Sequence, residues 1–462
     1  MTPARRFSAR VLTVLGPDRA TAYATLASVS PLLLGPVTAL LVATRFTLDT
    51  QGYYYTFGSL IVMQSLAEVG LGQAIVQVAS HEWAALHLDP QGRLAGPARP
   101  LHRLLELGRQ SLKWYAVLGA GVILVLATGG AAILSRRAGP VVPWMGPWLA
   151  LSLAVGLGLM VMPFFYLLQA CNHVPEFWLY RWIQQIVNAT ALWLAIAWGA
   201  TLWSPSLAAV AGLAWSISFI AFRHPWVWLN LRSGAASVSR QPDEREEDAV
   251  SWRNEVWPLQ WRVGVAWLST YATSQALVPL LFLAAGPATA GRMGLTMTLA
   301  NVLIAVASAG VVTQAPRYGV LVAQRRFAEL DRLFGRTLAR CAGIASACAL
   351  SLWIGVLLLN SMANPLRDRI LPPLPTGLLL AGGVVSSLTI ALSTYLRGHK
   401  REPLAFVFAT AAIATVALGA TLVSRWGATG VIAALVGVLA LYQLPLAIAV
   451  TLRCRRTWHQ VA

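Results

Sequence analysis

The sequence predicts an all-α membrane protein: about twelve transmembrane helices in two parallel six-helix repeats around a central cavity. Three observations predict it. Hydrophobic residues make up 57 % of the chain and charged residues 11 %, with a mean hydropathy of +0.63; a soluble core of this size would lack the polar surface to cover it. Apolar runs long enough to cross a bilayer recur along the whole chain, while the alternating pattern of outer-membrane barrel strands is absent. A polar-to-proline motif returns at an offset of 228 residues.

The spans, in order, are expected at 21–44, 53–79, 114–134, 147–169, 178–200, 206–222, 263–285, 293–315, 341–360, 375–396, 404–423 and 428–451. Residues 1–20 are short and basic, with Arg5, Arg6, Arg10 and Arg19. The first span lacks a small-residue cleavage pattern, so it reads as a helix and not as a removable signal peptide. Expected domains are an N-terminal six-helix lobe (1–222), a cytoplasmic linker (223–262) and a C-terminal lobe (263–462).

The second span organises the rest. Glu68 sits near its middle as the one acidic residue placed inside any span. An ionised carboxylate there costs at least a few kcal/mol, so it must face protein, water or a partner. Gln64 lies one turn earlier on the same face, while Gln73 and Gln77 occupy the opposite side. Gly70 and Gly72 permit close packing or a local break. A structural ion pair and a place on a substrate or ion path are both open readings of Glu68.

Orientation follows from the cations. With both termini cytoplasmic, 28 of the 35 Lys and Arg fall on the cytoplasmic side, leaving Arg45, Arg136, Arg137, Arg292, Arg367, Arg369 and Arg425 outside. That bias fixes the expected topology. It also accounts for the net charge of +18 without nucleic acid. Two basic loops, 80–113 and 317–340, carry amphipathic segments expected to lie at the interface, one of them marked by Leu101, Leu104, Leu105 and Leu107 beside Arg103 and Arg109. The acidic run from Asp243 to Asp248 reads as a solvated part of the linker. Many of the 19 tryptophans, Trp148 among them, fall near span ends and read as an aromatic belt.

The repeat shows in Leu168–Pro175 after the fourth span and Leu396–Pro403 after the tenth. Six plus six spans of the same sidedness make parallel repeats, an arrangement that can rock for alternating access. The polar groups do not follow the repeat. Arg181, Gln184, Gln185 and Asn188 form one stripe on the fifth span, whereas the matching positions are Ala409, Ala412, Ile413 and Val416. A ligand and lobe-to-lobe hydrogen bonding both explain a one-sided stripe. Gln275, Asn301 and Gln314 read as interhelical hydrogen-bonding groups, and Arg45, Arg262 and Arg292 as snorkelling span-end cations.

No enzyme is expected. His81-Glu82 lacks a second histidine at metal spacing, and no phosphate-cradling Gly-Lys-Ser/Thr loop occurs. Neither a metal nor a cofactor is implied. The cysteines, Cys171, Cys341, Cys348 and Cys454, show no disulfide framework.

Twelve spans in two lobes, Glu68-Val69-Gly70-Leu71-Gly72, and the repeated Leu-x-[Ala/Gly]-x-x-x-x-Pro together resemble polysaccharide and O-antigen flippases. These belong to the multidrug/oligosaccharidyl-lipid/polysaccharide exporter superfamily. The resemblance implies alternating-access export of a lipid-linked oligosaccharide across the bacterial inner membrane, for polysaccharide or lipopolysaccharide synthesis. It also implies membrane lipids, a polysaccharide polymerase and glycosyltransferases as partners, and cations to hold the diphosphate. The candidate transport residues are Glu68, Gln64, Arg181, Gln184 and Asn188, with Arg292 and Arg45 near the outer mouth. The alternatives are a cation-coupled drug antiporter of the same superfamily and a non-transporting scaffold of a polysaccharide assembly complex.

Overall fold

The computed structural model describes residues 19–68, 70–136, 142–233, 275–362, 364–399 and 401–460. Arg262, the acidic run from Asp243 to Asp248 and residues 1–18 lie outside these, as does 263–274 of the expected seventh span. The described chain is helical apart from one small hairpin, β1 (His87–Leu88) with β2 (Leu94–Ala95). Among the described residues, nine helical stretches are long and apolar enough to cross a bilayer. The last of them, residues 405–458, is two helices, because Gly427 takes φ 54°. A methyl on Gly430 would meet the Leu422 carbonyl, so the chain doubles back there.

The chain gathers into two compact units, and the division differs from the expected lobes in one respect. Residues 39–62 and 133–142 join 265–462 in the second unit, while the first holds the remaining N-terminal residues up to 264. The difference was invisible to hydropathy, which reports how long a helix is and not what it packs against.

The first unit contains the N-terminal part of α1 (Arg19–Arg45), then α3 (Gln64–Glu68), α4 (Leu71–Trp83), α5 (Ala98–Val125), α6 (Met145–Ala170), α7 (Val174–Ala197), α8 (Trp203–Ser218) and α9 (Pro225–Ser233). Helices α5 and α6 approach through Gly119 and Gly156, where a methyl on either would lie under 3 Å from the other's carbonyl oxygen. Beyond α5 a π turn, Leu126–Gly130, frees carbonyls. The fully buried Trp148 indole donates to Leu126 O at 2.8 Å. Trp148 is therefore an interior hydrogen-bond donor and not an interfacial anchor.

The amphipathic segment expected at the interface is instead the start of α5 itself. Leu104, Leu105 and Leu107 are buried, Arg103 pairs with Glu82 at 3.1 Å, and Arg109 Nε donates to Leu231 O at 3.0 Å. The helix gains more by burying that apolar stripe inside the unit than by floating it between headgroups. Asn230 on α9 also receives Leu94 N and donates to Gly92 O, which fixes the hairpin.

The Leu168–Pro175 motif ends α6, turns through Asn172 at φ 64°, and restarts the chain with a proline in the first turn of α7. His173 stands 5.5 Å from the Trp226 ring and 5.6 Å from that of His224. Burial, aided by His173 and opposed by Glu176, pushes the His224 imidazole down from 6.5 to about 4. The folded ring therefore refuses a proton that the unfolded chain accepts between those pH values. Stability is expected to hold above about pH 6.5 and to fall by about 1–3 kcal/mol toward pH 4. His224→Gln should flatten that part of a detergent-solubilised thermal-stability profile; an unchanged acid slope refutes the assignment.

The second unit holds α2 (Leu48–Ile61), α10 (Leu277–Ala285), α11 (Pro287–Val312), α12 (Ala315–Ala323), α13 (Phe327–Ser361), α14 (Pro373–Arg397), α15 (Ala405–Gly437) and α16 (Leu444–Gln460). Helix α2 lies directly on α11, with Gly52 against the Pro287 backbone, Gly291 against Gly52, and Gly294 under the Tyr55 ring. Gln51, fully buried, donates through Nε2 to Gly291 O at 2.9 Å and to Arg369 O at 3.1 Å. The second basic segment is divided between α12 and the start of the long helix α13. Its Asp331 accepts from the Tyr395 hydroxyl at 2.8 Å and pairs with Arg455 at 2.6 Å. Here too the motif histidine meets a tryptophan of the unit's last helix, His399 lying 5.0 Å from Trp458. Asn301, expected to bond between helices, is exposed on α11.

Candidate functional site in the first unit

The expected second span is broken into α2, α3 and α4, with non-helical turns at 62–63 and just before Leu71. Gly70 makes the second break possible: its φ of 69° is the left-handed region, which costs an L side chain energy but glycine nothing. Glu68 is thereby the last residue of a five-residue helix, and its carboxylate is not bound to the direction a continuous helix would impose.

Two tyrosines from other helices close on that carboxylate. Tyr115 of α5, fully buried, donates its hydroxyl to Glu68 Oε1 at 3.2 Å, and Tyr166 of α6 donates to the same oxygen. Their rings lie 6.1 Å apart. Gly72 is what lets Tyr166 in, since a methyl there would sit 2.6 Å from Cε1 and 2.7 Å from Cε2 of its ring. The Glu68-Val69-Gly70-Leu71-Gly72 run therefore has a separable logic. Gly70 turns the chain, Gly72 admits a phenol, and Glu68 receives it.

Arg181 lies on α7 of the same unit. It is exposed, as are Gln73 and Gln77 on α4. A carboxylate held by phenols can bind or release a proton or accept from further hydroxyl donors.

The rest of the stripe is spent differently. Gln184 Nε2 donates to Ser216 Oγ at 3.1 Å on α8, and that oxygen also lies 2.7 Å from the Tyr180 hydroxyl. Asn188 packs onto Gly212, whose missing side chain makes room for its amide. Both residues tie α7 to α8 within one unit. Gln64, half-buried, shares the short helix with Glu68. Arg45 and Arg292 belong to the second unit: Arg45 is exposed, and Arg292 Nε donates to Asp368 O at 2.9 Å.

The whole chain has close architectural counterparts. It is similar to an inward-facing multidrug resistance MATE family transporter of the MOP superfamily, with 11 % identity, 98 % of each chain covered and a TM-score of 0.64. It is also similar to the lipid II flippase MurJ in an inward closed conformation, at 11 % identity, 95 % of this chain and 90 % of that one, with a TM-score of 0.62. The fold is that of the MOP-superfamily transporters. A eukaryotic MATE transporter, AtDTX14, shares the MOP fold more loosely, at 12 % identity, 95 % and 96 % coverage and a TM-score of 0.51. No protein-family model matches the sequence, and no curated protein matches it either.

Sequence reasoning singled out Glu68 and Arg181 but not the two tyrosines, Tyr115 and Tyr166, that the structure places on Glu68. Their rings count as apolar in a hydropathy reading, and only the fold shows where the hydroxyls point. The available signal was a tyrosine on each of two later helices of the lobe that carries the buried acid.

Proposed function

We propose that this protein is a flippase that moves a polyprenyl-diphosphate-linked oligosaccharide across the bacterial inner membrane by alternating access. The termini lie in the cytoplasm, and the product feeds polysaccharide or lipopolysaccharide (O-antigen) assembly beside a polymerase and glycosyltransferases. The observation that carries the reading is the Glu68 carboxylate clasped by the Tyr115 and Tyr166 hydroxyls inside a membrane helix broken at Gly70, with Arg181 exposed on α7 of the same unit. A charge that costs this much to bury is a functional-site candidate. Likeness to a lipid II flippase supports the choice of a lipid-linked substrate.

In this reading Arg181 meets the diphosphate, and Glu68 serves as proton site or charge partner. Gln184 and Asn188 set the position of α7 against α8, Gln64 borders the same water-facing side, and Arg292 and Arg45 attract substrate at the outer mouth. Glu68→Ala and Arg181→Ala are each expected to abolish surface polysaccharide, about tenfold or more, while leaving protein in the membrane. Near-normal polysaccharide in both variants overturns the assignment.

The second reading is a cation-coupled multidrug antiporter, favoured by the likeness to a multidrug transporter and by Glu68 as a carboxylate that could carry the coupling ion. Reconstituted vesicles separate the two. The flippase moves a fluorescent lipid-linked saccharide without a cation gradient-driven efflux of dyes; the antiporter does the reverse.

A further inference from the structure

The second unit carries a groove that the transport reading does not use. It measures about 840 Å³ and is walled by Val312, Ala315, Pro316, Gly319 and Val320, with Arg397 and His399 at its polar end. Val312 and Val320 are 56 % and 53 % exposed, so the apolar wall is open to whatever surrounds the helices. Arg397, Gly398 and His399 of its lining come from the repeated motif. In the same unit the described segments 315–340, 397–399, 401–402 and 453–456 hold eleven arginines against three carboxylates, Glu329, Asp331 and Glu402. Glu402 pairs with Arg397 at 2.8 Å, but more than half of each side chain is exposed, so that pair is readily opened.

An apolar trough ending in cations, at the membrane end that the Lys and Arg asymmetry assigns to the cytoplasm, matches one chemistry. A soluble anion has no use for the valine wall, and a neutral lipid has no use for the arginines. We infer that this groove binds an anionic phospholipid of the inner leaflet, with an acyl chain along Val312 and Val320 and the phosphate at Arg397. Juxtamembrane cations attract such lipids at about 1 kcal/mol each. The inference is independent of which substrate the first unit carries.

Gly319 supplies a clean test, because a side chain added there meets nothing within 4 Å and would grow into the groove. Purified full-length protein in neutral detergent is titrated with phosphatidylglycerol, phosphatidylcholine of the same chains, and glycerol 1-phosphate, reading thermal stabilisation. Phosphatidylglycerol alone is expected to stabilise. Gly319→Phe should weaken it about tenfold by removing the chain's seat, and Arg397→Gln about fivefold by removing one cation. Arg425→Gln, on the opposite side in the expected topology, should leave it unchanged. Equal stabilisation by phosphatidylcholine, binding of glycerol 1-phosphate as tight as the lipid, or full affinity in Gly319→Phe overturns the inference. If Arg397→Gln lowers stability in lipid-free detergent, the Gly319 variant decides.

Discussion

Alanine at position 52 is expected to cost the protein its second unit. Helix α2 meets α11 backbone to backbone, and a methyl on Gly52 would be driven into the Pro287 carbonyl, with the Pro287 Cα 2.8 Å away. Neither group is the far end of a side chain that could swing aside. Pro287 is pinned at the first turn of α11, and Gly291 closes on Gly52 from the next turn. Ordinary overpacking costs about 1–3 kcal/mol. Here helix must part from helix, which also pulls Gln51 off the Gly291 and Arg369 carbonyls; buried acceptors left bare add about 1–3 kcal/mol. A Gly52→Ala protein should reach the membrane at strongly reduced level and melt well below the parent in detergent. Gly58→Ala on the same helix, where a methyl meets nothing within 4 Å, is the matched control and should behave as the parent. Equal melting of the two variants would refute the packing account.

The other large effect belongs to Gly72. Alanine there is expected to remove transport as thoroughly as loss of Glu68, although position 72 touches no substrate in the proposed scheme. The added methyl collides with the Tyr166 ring, and the ring can retreat only by withdrawing its hydroxyl from the Glu68 carboxylate. An aromatic side chain has rotamer freedom that a backbone lacks, so the fold should survive with a modest loss of about 1–2 kcal/mol. Activity and stability therefore separate in this variant, where at Gly52 they fall together. A second substitution tests the route: Tyr166→Phe in the Gly72→Ala background should add little further loss, because the hydroxyl has already left. Additive losses in the double variant would show that Gly72 acts by some other path.

Much of this is legible in the sequence. The all-helical membrane fold follows from hydropathy, and a carboxylate amid apolar residues marks itself. What stays hidden there is contact at long sequence separation. Nothing local tells that Tyr115 and Tyr166 aim at Glu68 rather than at a headgroup, or that Trp148 serves a π turn rather than the interface. The stripe on α7 shows the same limit in reverse. Its period is legible, but Gln184 and Asn188 serve α8, since a period gives a face and not its neighbour. Gln51 escapes notice because it lies just ahead of the apolar run, where glutamine is unremarkable.

The placement of α2 bears on how the chain is made. Its partner α11 begins with Pro287, and the Gln51–Gly291 hydrogen bond joins residues 240 apart. At about 5–20 residues per second, the ribosome needs roughly 10–50 seconds to deliver the second after the first. Throughout that interval a nascent helix with a buried glutamine and a bare glycine face waits among lipids or beside a provisional companion. The second unit therefore cannot close until its late helix arrives, and an early helix has to stay available for a partner not yet made.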